Sequence, residues 1–236
     1  MPTEEEIYQQ HADQYQRLVG REDYHGHILK SLEMICPLNG LDVVELGAGT
    51  GRLTRILAPH VGVIKAFDTS AHMLSRAESN LHALGLTNWH AGLADHRHIP
   101  VADASANLVI SGWSFCYLAV WGGERWRAEL EAGFQEIMRI LRPGGYCILL
   151  ETLGTGQETP KPPEHLAGYF AWLAEKGFKN TWFRSDYRFN SLAEAVALSK
   201  FFFGEKLGRE MEKNKWLILP ECTGLWWYLK LPSQTS

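Results

Sequence analysis

The segment Val43-Val44-Glu45-Leu46-Gly47-Ala48-Gly49-Thr50-Gly51 limits the possible folds more tightly than any other part of the chain. Two β-branched residues and a leucine predict a short buried strand, and three glycines at every second position follow it at once. Glycine adopts positive φ without penalty and lets a ligand approach the main chain where a Cβ would collide. A strand that runs through such a turn into a helix places a ligand site beyond its carboxyl end, as in open α/β sheets.

The flanking sequence agrees. Between Leu41 and Thr152 short apolar runs predict strands at Asp42–Leu46, Val63–Phe67, Trp89–Ala91, Asn107–Ser111 and Tyr146–Glu151. Amphipathic segments between them predict helices at Leu53–Ala58, Ala71–Leu84 and Glu124–Leu141. The last carries Leu130, Phe134, Ile137 and Leu141 along one buried stripe, and Arg142-Pro143-Gly144-Gly145 stops it. Such alternation predicts a doubly wound α/β sheet. Ahead of it, Thr3-Glu4-Glu5-Glu6 reads as a capping box opening a helix to about Val19, and a second helix runs toward Ile35. After Thr152 come a Gly/Pro-rich loop, a helix over Glu164–Lys176 and a strand over Thr181–Phe189. A second capping box at Ser191-Leu192-Ala193-Glu194 opens a helix to Phe203, followed by a helix over Glu205–Lys213 and a strand at Leu225–Leu229. The expected organisation is a single domain over 1–236, with a helical cap (1–40), a core (41–152) and a C-terminal part (153–236) containing a helical insertion at 191–213.

Composition narrows the function classes. With 45% hydrophobic residues and a net charge of −4, the chain can bury a sizeable core and has no excess of positive charge to steer it to nucleic acid or an anionic membrane. The acidic start Met1-Pro2-Thr3-Glu4-Glu5-Glu6 lacks the apolar run of a secretory signal, and no apolar run reaches transmembrane length. Cys36, Cys116, Cys147 and Cys222 are far apart, which suits a reducing cytoplasm rather than a disulfide framework or a zinc site. His96 and His98 have a metal-like spacing, but only Asp95 accompanies them, so a solvated loop and no metal are expected.

Two cofactor classes use a glycine turn of this kind. The dinucleotide pattern GxGxxG, counted from Gly47, would need glycine where Arg52 stands. The spacing is GxGxG instead, and a negative Glu45 ahead of it suits a sulfonium cofactor better than a pyrophosphate. On these residues Asp42–Glu151 resembles the class I S-adenosylmethionine-dependent methyltransferases, in the small-molecule branch of the methyltransferase type 11 and quinone-biosynthesis enzymes. Glu45–Gly51 is similar to that family's first motif, and Asp68-Thr69-Ser70-Ala71-His72-Met73-Leu74 to its D-x-S-x-x-M-L segment. Gly92-Leu93-Ala94-Asp95 matches the adenine segment less well, with Leu93 where an acid usually stands. Asn107–Trp113 and Glu136–Gly145 resemble the fourth strand and the helix-to-strand turn.

The resemblance implies a Rossmann-like, doubly wound, seven-stranded and mostly parallel sheet, with N-terminal helices and a helical insertion between the last two strands. It implies S-adenosyl-L-methionine held by Glu45, Gly47, Ala48, Gly49 and Gly51, with Asp68 and Thr69 at the ribose and Met73 against the adenine. Ala94 or Asp95 would contact the adenine edge, Ser111 and Trp113 would flank the methyl, and Tyr15 would reach the methionine part. The implied reaction is in-line methyl transfer to a small-molecule acceptor, with neither nucleic acid nor membrane as partner. Alignment and exclusion of water can carry such a reaction, so no residue is assigned as catalytic. If the acceptor must lose a proton, His25, His27, Glu151, Asp186 and Tyr187 are candidate bases. Trp113, Phe115, Tyr117, Trp121, Trp226 and Trp227 are candidates for an acceptor pocket, with the insertion as its lid. An RNA or protein acceptor, cofactor binding without transfer and a nicotinamide-dependent oxidoreductase are the alternatives. Against a nucleic-acid acceptor stand only 23 Lys plus Arg and Ser111-Gly112-Trp113-Ser114 in place of an Asn-Pro-Pro-Tyr-type motif, and against nicotinamide the glycine spacing; only turnover separates transfer from binding alone.

Overall fold

The computed structural model describes residues 10–232, so the capping box at Thr3–Glu6 lies outside the described residues. Two helices, α1 (Ala12–Val19) and α2 (His27–Glu33), precede the sheet. Then come β1 (Asp42–Leu46), α3 (Arg52–Leu57), β2 (Val63–Asp68), α4 (Ala71–Ala83), β3 (Trp89–Leu93) and β4 (Ala106–Gly112). The chain continues through α5 (Tyr117–Val120), α6 (Trp126–Ile140), β5 (Leu141–Thr155), α7 (Ala167–Glu175) and β6 (Lys179–Arg184). It closes with β7 (Tyr187–Arg188), α8 (Leu192–Phe203), α9 (Glu205–Asn214), β8 (Ile218–Leu219) and β9 (Glu221–Leu229).

Seven strands form one sheet in the order β3-β2-β1-β4-β5-β9-β6. The first five are parallel, and β9 runs antiparallel between β5 and β6. Because neighbouring side chains on a strand point to opposite faces, Val43 and Val44 enter different cores. Val43 joins Ile28, Leu32, Leu53 and Ile64 on one face, whereas Val44 joins Leu130, Ile137, Leu149 and Trp172 on the other. Of the stripe expected on α6, Leu130, Phe134 and Ile137 point inward from the helix, whereas Leu141 is buried as the first residue of β5.

Two C-terminal expectations change. The single strand expected over Thr181–Phe189 is broken after Arg184: β6 stays in the main sheet and β7 pairs with β8 outside it. Arg184 grips Asp186 with both arms at 2.6 and 2.8 Å, and the Ser185 hydroxyl is buried 2.6 Å from Thr223 Oγ1. The chain therefore turns, and Tyr187 and Phe189 join Leu18, Leu198, Met211 and Leu219 in a separate small core. At the second cap Ser191 Oγ accepts from Glu194 N at 3.2 Å, but Glu194 accepts from Asn190 N at 2.9 Å, one residue earlier than a capping box requires.

Three buried carboxyls lie on strands β1, β5 and β9, and burial pushes their pKa up: Glu45 to about 8, Glu151 to about 7 and Glu221 to about 8. An unfolded glutamate titrates near 4.3, so between that pH and the folded value the native chain holds protons that the unfolded chain has lost. Stability contributed by these groups is thus complete at low pH and declines as pH rises through about 7–8, by at most about 1.4 kcal/mol per pH unit for each proton. Glu151 accepts from Tyr169 Oη at 2.9 Å and Cys116 N at 3.2 Å, and an amide oxygen can do the same. We expect Glu151→Gln to flatten the fall in stability between pH 5 and 7, read by urea unfolding; an unchanged slope would refute the assignment.

Candidate functional site

A cavity of about 770 Å³ opens beyond the carboxyl ends of β1, β2 and β4, within the range of about 300–1,000 Å³ usual for small-molecule sites. The glycine turn and Asp68 build one wall. Gly47, Gly49 and Gly51 have φ of 70°, 55° and 81°, the left-handed region that glycine alone enters cheaply. Gly47 N and Ala48 N donate to Phe67 O at 2.7 and 2.9 Å, which ties the turn to β2. Asp68 Oδ2 accepts from Gly49 N and Oδ1 from Ser70 N, both at 2.8 Å. Each carboxylate oxygen has two lone pairs, so Asp68 holds the turn and still offers acceptors to the cavity. A Cβ on Gly47 would lie 1.8 Å from Ser114 Oγ, so no other residue fits there without a shift.

The residues expected at the site fall into two groups. Tyr15, Gly47, Gly49, Asp68, Thr69, Asp95 and Trp113 line the cavity. Glu45, Ala48, Gly51, Met73, Ala94 and Ser111 stand behind that wall. Met73 is fully buried, its Cε 3.6 Å from the Cβ position of Gly49, and Gly51 gives α4 room at Ala77. Ala94 N donates to Asp68 O at 3.0 Å, and Ser111 is buried within β4. Glu45 also differs in charge from the expectation. It lies under the turn, accepts from Thr54 Oγ1 at 2.5 Å, and burial raises its pKa to about 8, so it is uncharged near pH 7. An uncharged Glu45 does not repel a pyrophosphate, whereas Arg52 still stands where the dinucleotide pattern needs glycine. Arg52 is buried, pairs with Glu22 at 2.5 Å and lies 3.4 Å over the ring of Trp113, a residue with φ of 52°. Asp95 is gripped by Arg97 at 2.6 and 2.7 Å, and this hydrogen-bonded pair holds its carboxyl below the usual range.

None of the candidate bases His25, His27, Glu151, Asp186 or Tyr187 lines the cavity, and neither does any residue of the insertion at 191–213. The insertion meets the wall through Phe202, whose ring packs edge-on against Tyr15 at 6.3 Å. His90 and His98 are exposed, as a solvated loop requires, but His96 is half-buried and belongs to the wall, 2.9 Å from Ser114 Oγ. Tyr117, Leu118, Trp121, Arg125 and Glu129 complete the opposite side. They follow β4 after a gap that no spacing rule covers; the density of aromatics points to Tyr117 and Trp121, and nothing in the sequence points to Leu118, Arg125 or Glu129. Among the described residues no three or more His, Cys, Asp and Glu gather as for a metal ion.

Comparison with known proteins fits this geometry. Residues 44–149 match the family model described as a methyltransferase domain. The matched stretch contains the turn, Asp68, His96 and the aromatic segment after β4. The chain is 34% identical over 139 residues to a malonyl-acyl-carrier-protein O-methyltransferase of Marinomonas sp., covering 57% of this chain and 46% of that one. It is 29% identical over 120 residues to a ubiquinone/menaquinone biosynthesis C-methyltransferase of Rubrivivax gelatinosus, covering 51% and 43%. The chain thus spans about half the length of the curated relatives it matches. Its fold is shared with a SAM-dependent methyltransferase from Aquifex aeolicus at a TM-score of 0.58, with 17% identity and coverage of 86% and 88%. No described helix is long and apolar enough to cross a membrane.

Proposed function

We propose that the chain transfers a methyl group from S-adenosylmethionine to a small-molecule acceptor. The observation that carries this reading is Asp68, which ties Gly49 into a positive-φ turn and presents its carboxylate to the same cavity. Gly47 and Gly49 leave the main chain bare for the cofactor's amino-acid part, and Asp68 would accept from its ribose hydroxyls. When bound, the cofactor supplies an electrophilic methyl on a sulfonium sulfur. Trp113, fixed by Arg52, and Tyr15, braced by Phe202, form walls that would orient both reactants and keep water out. Titration with S-adenosylhomocysteine tests the cofactor; failure to bind at high micromolar concentration, or competition by NADH, would overturn it. A metabolite screen for S-adenosylhomocysteine release tests the acceptor class, and methyl incorporation into bulk RNA or protein would redirect it. The O- and C-methyltransferase relatives support a small acceptor. We further read 1–236 as one functional unit acting in the cytoplasm, with the core at 41–152 binding the cofactor.

A further inference from the structure

We propose that His96, Ser114, Tyr117 and Trp121 form the acceptor subsite, that it takes a flat, uncharged molecule bearing an O–H or N–H, and that His96 receives its proton. The inference rests on the methyl-transfer reading above and assigns the part of the cavity that the cofactor residues leave over.

Three observations carry it. First, the aromatic side is a ready surface for a planar body. Tyr117 and Trp121 stack at 4.4 Å and 15°, and Trp121 remains 56% exposed although it lines a cavity. A large exposed ring in a concave wall is a contact surface rather than core.

Second, the charges on that side cancel among themselves. Arg97 is bonded to Asp95 and to Glu129, and Arg125 meets Glu129 at 2.6 Å. Two acids and two arginines thus neutralise one another, leaving no surplus cation for a phosphate or carboxylate and no surplus anion for an ammonium group. Asp68 is taken up by Gly49 N, Ser70 N and, in the reading above, the cofactor. His72, the other histidine of the wall, is exposed.

Third, His96 is placed to accept a proton. Its Nε2 lies 2.9 Å from Ser114 Oγ, and its ring lies nearly parallel to Phe115 at 6.1 Å, so its orientation is set from two sides. Its Cε1 comes within 3.2 Å of the Cβ position of Gly47, which puts the ring beside the glycine turn. The charged groups facing it are Asp68 from β2 and Asp95 and Arg97 from its own loop. Burial outweighs the two acids and holds the ring below the ordinary histidine pKa, so it is neutral at pH 7. In the step, the acceptor's oxygen or nitrogen forms its bond to the methyl carbon as its proton passes to the imidazole. The electron pair of the breaking S–C bond stays on sulfur, and the positive charge lost there is the one gained by the ring.

The test uses full-length protein with S-adenosylhomocysteine bound and three probes of similar size: 1-naphthol, naphthalene and 1-naphthyl phosphate. Wild type is expected to prefer 1-naphthol over naphthalene by about fivefold, the worth of one ordinary hydrogen bond, and over the phosphate by more. The His96 ring nitrogen resonances should move on adding 1-naphthol and not on adding naphthalene. His96→Asn should lose the preference for naphthol over naphthalene, while Trp121→Ala should weaken both by about tenfold. Both variants should keep their S-adenosylhomocysteine affinity within about twofold of wild type, which also shows that they fold. Equal binding of naphthol and naphthalene, tighter binding of the phosphate, or an unchanged preference in His96→Asn would overturn the subsite and leave the cofactor reading intact. Loss of S-adenosylhomocysteine binding by the wild type would overturn that reading instead.

Discussion

Asp68→Ala is expected to weaken S-adenosylhomocysteine binding by at least about 100-fold in a calorimetric titration. Two contributions are lost at once. The carboxylate no longer accepts from the ribose hydroxyls, and Gly49 N and Ser70 N lose the partner that shapes the turn. Hydrogen bonds to a charged group are worth about 1.5–3 kcal/mol each, so two of them exceed a factor of 100. Asp68→Asn separates these roles. Its amide keeps one oxygen, so it can hold Gly49 or serve the ribose but not both through acceptors, and a loss of about tenfold is expected. If Asp68→Ala bound within fivefold of wild type, roughly 1 kcal/mol, Asp68 would not be the ribose anchor.

Gly47→Ala should have the second largest effect, and Gly49→Ala is its control. Both residues have positive φ, so alanine at either costs about 1–2 kcal/mol in backbone strain. Their surroundings differ. A Cβ on Gly49 meets Met73 and Tyr15 at ordinary contact distances of 3.6 and 3.8 Å, whereas one on Gly47 falls 1.8 Å from Ser114 Oγ and 2.3 Å from its Cβ. Gly47→Ala must therefore displace Ser114, and with it the hydrogen bond to His96. We expect it to lower the melting temperature more than Gly49→Ala and to reduce S-adenosylhomocysteine affinity by about 30-fold, or roughly 2 kcal/mol. The double variant Gly47→Ala with Ser114→Gly removes the collision and should return to the level of Gly49→Ala. Equal effects of the two single substitutions would show that Ser114 moves aside freely.

The parts of the molecule most legible in the sequence were those written in periodicity and spacing. The strand at Asp42–Leu46 was expected at its observed bounds, and the helix on Ala71–Ala83 differs by one residue. Asp68 could be read because its distance from the glycine turn reflects one helix and one strand of ordinary length. Glu45 was legible in position but not in charge, since ionisation depends on burial and on Thr54, nine residues away. The break between β6 and β7 was hidden because alternating aromatics look alike whether one strand or two carry them; the Arg184–Asp186 grip decides it. The sequence places His96 in a solvated loop because the groups that cover it, Ser114 and Phe115, come almost twenty residues further on.

The position of β9 also sets an order of events during synthesis. Strand β5 must wait for its outer partner until residues up to Leu229 have left the ribosome, because β9 pairs with it from Tyr146 to Thr155. At about 5–20 residues per second, the roughly 70 residues in between take on the order of 4–15 s. Throughout that interval an apolar edge carrying Ile148, Leu149 and Leu150 lies open beside a nearly finished glycine turn. A bare edge of that kind is a template for pairing with another chain. The nascent protein therefore meets its greatest risk of aggregation after the residues lining its cavity are made and before its last strand arrives, and slowing translation across the helical insertion would lengthen that exposure.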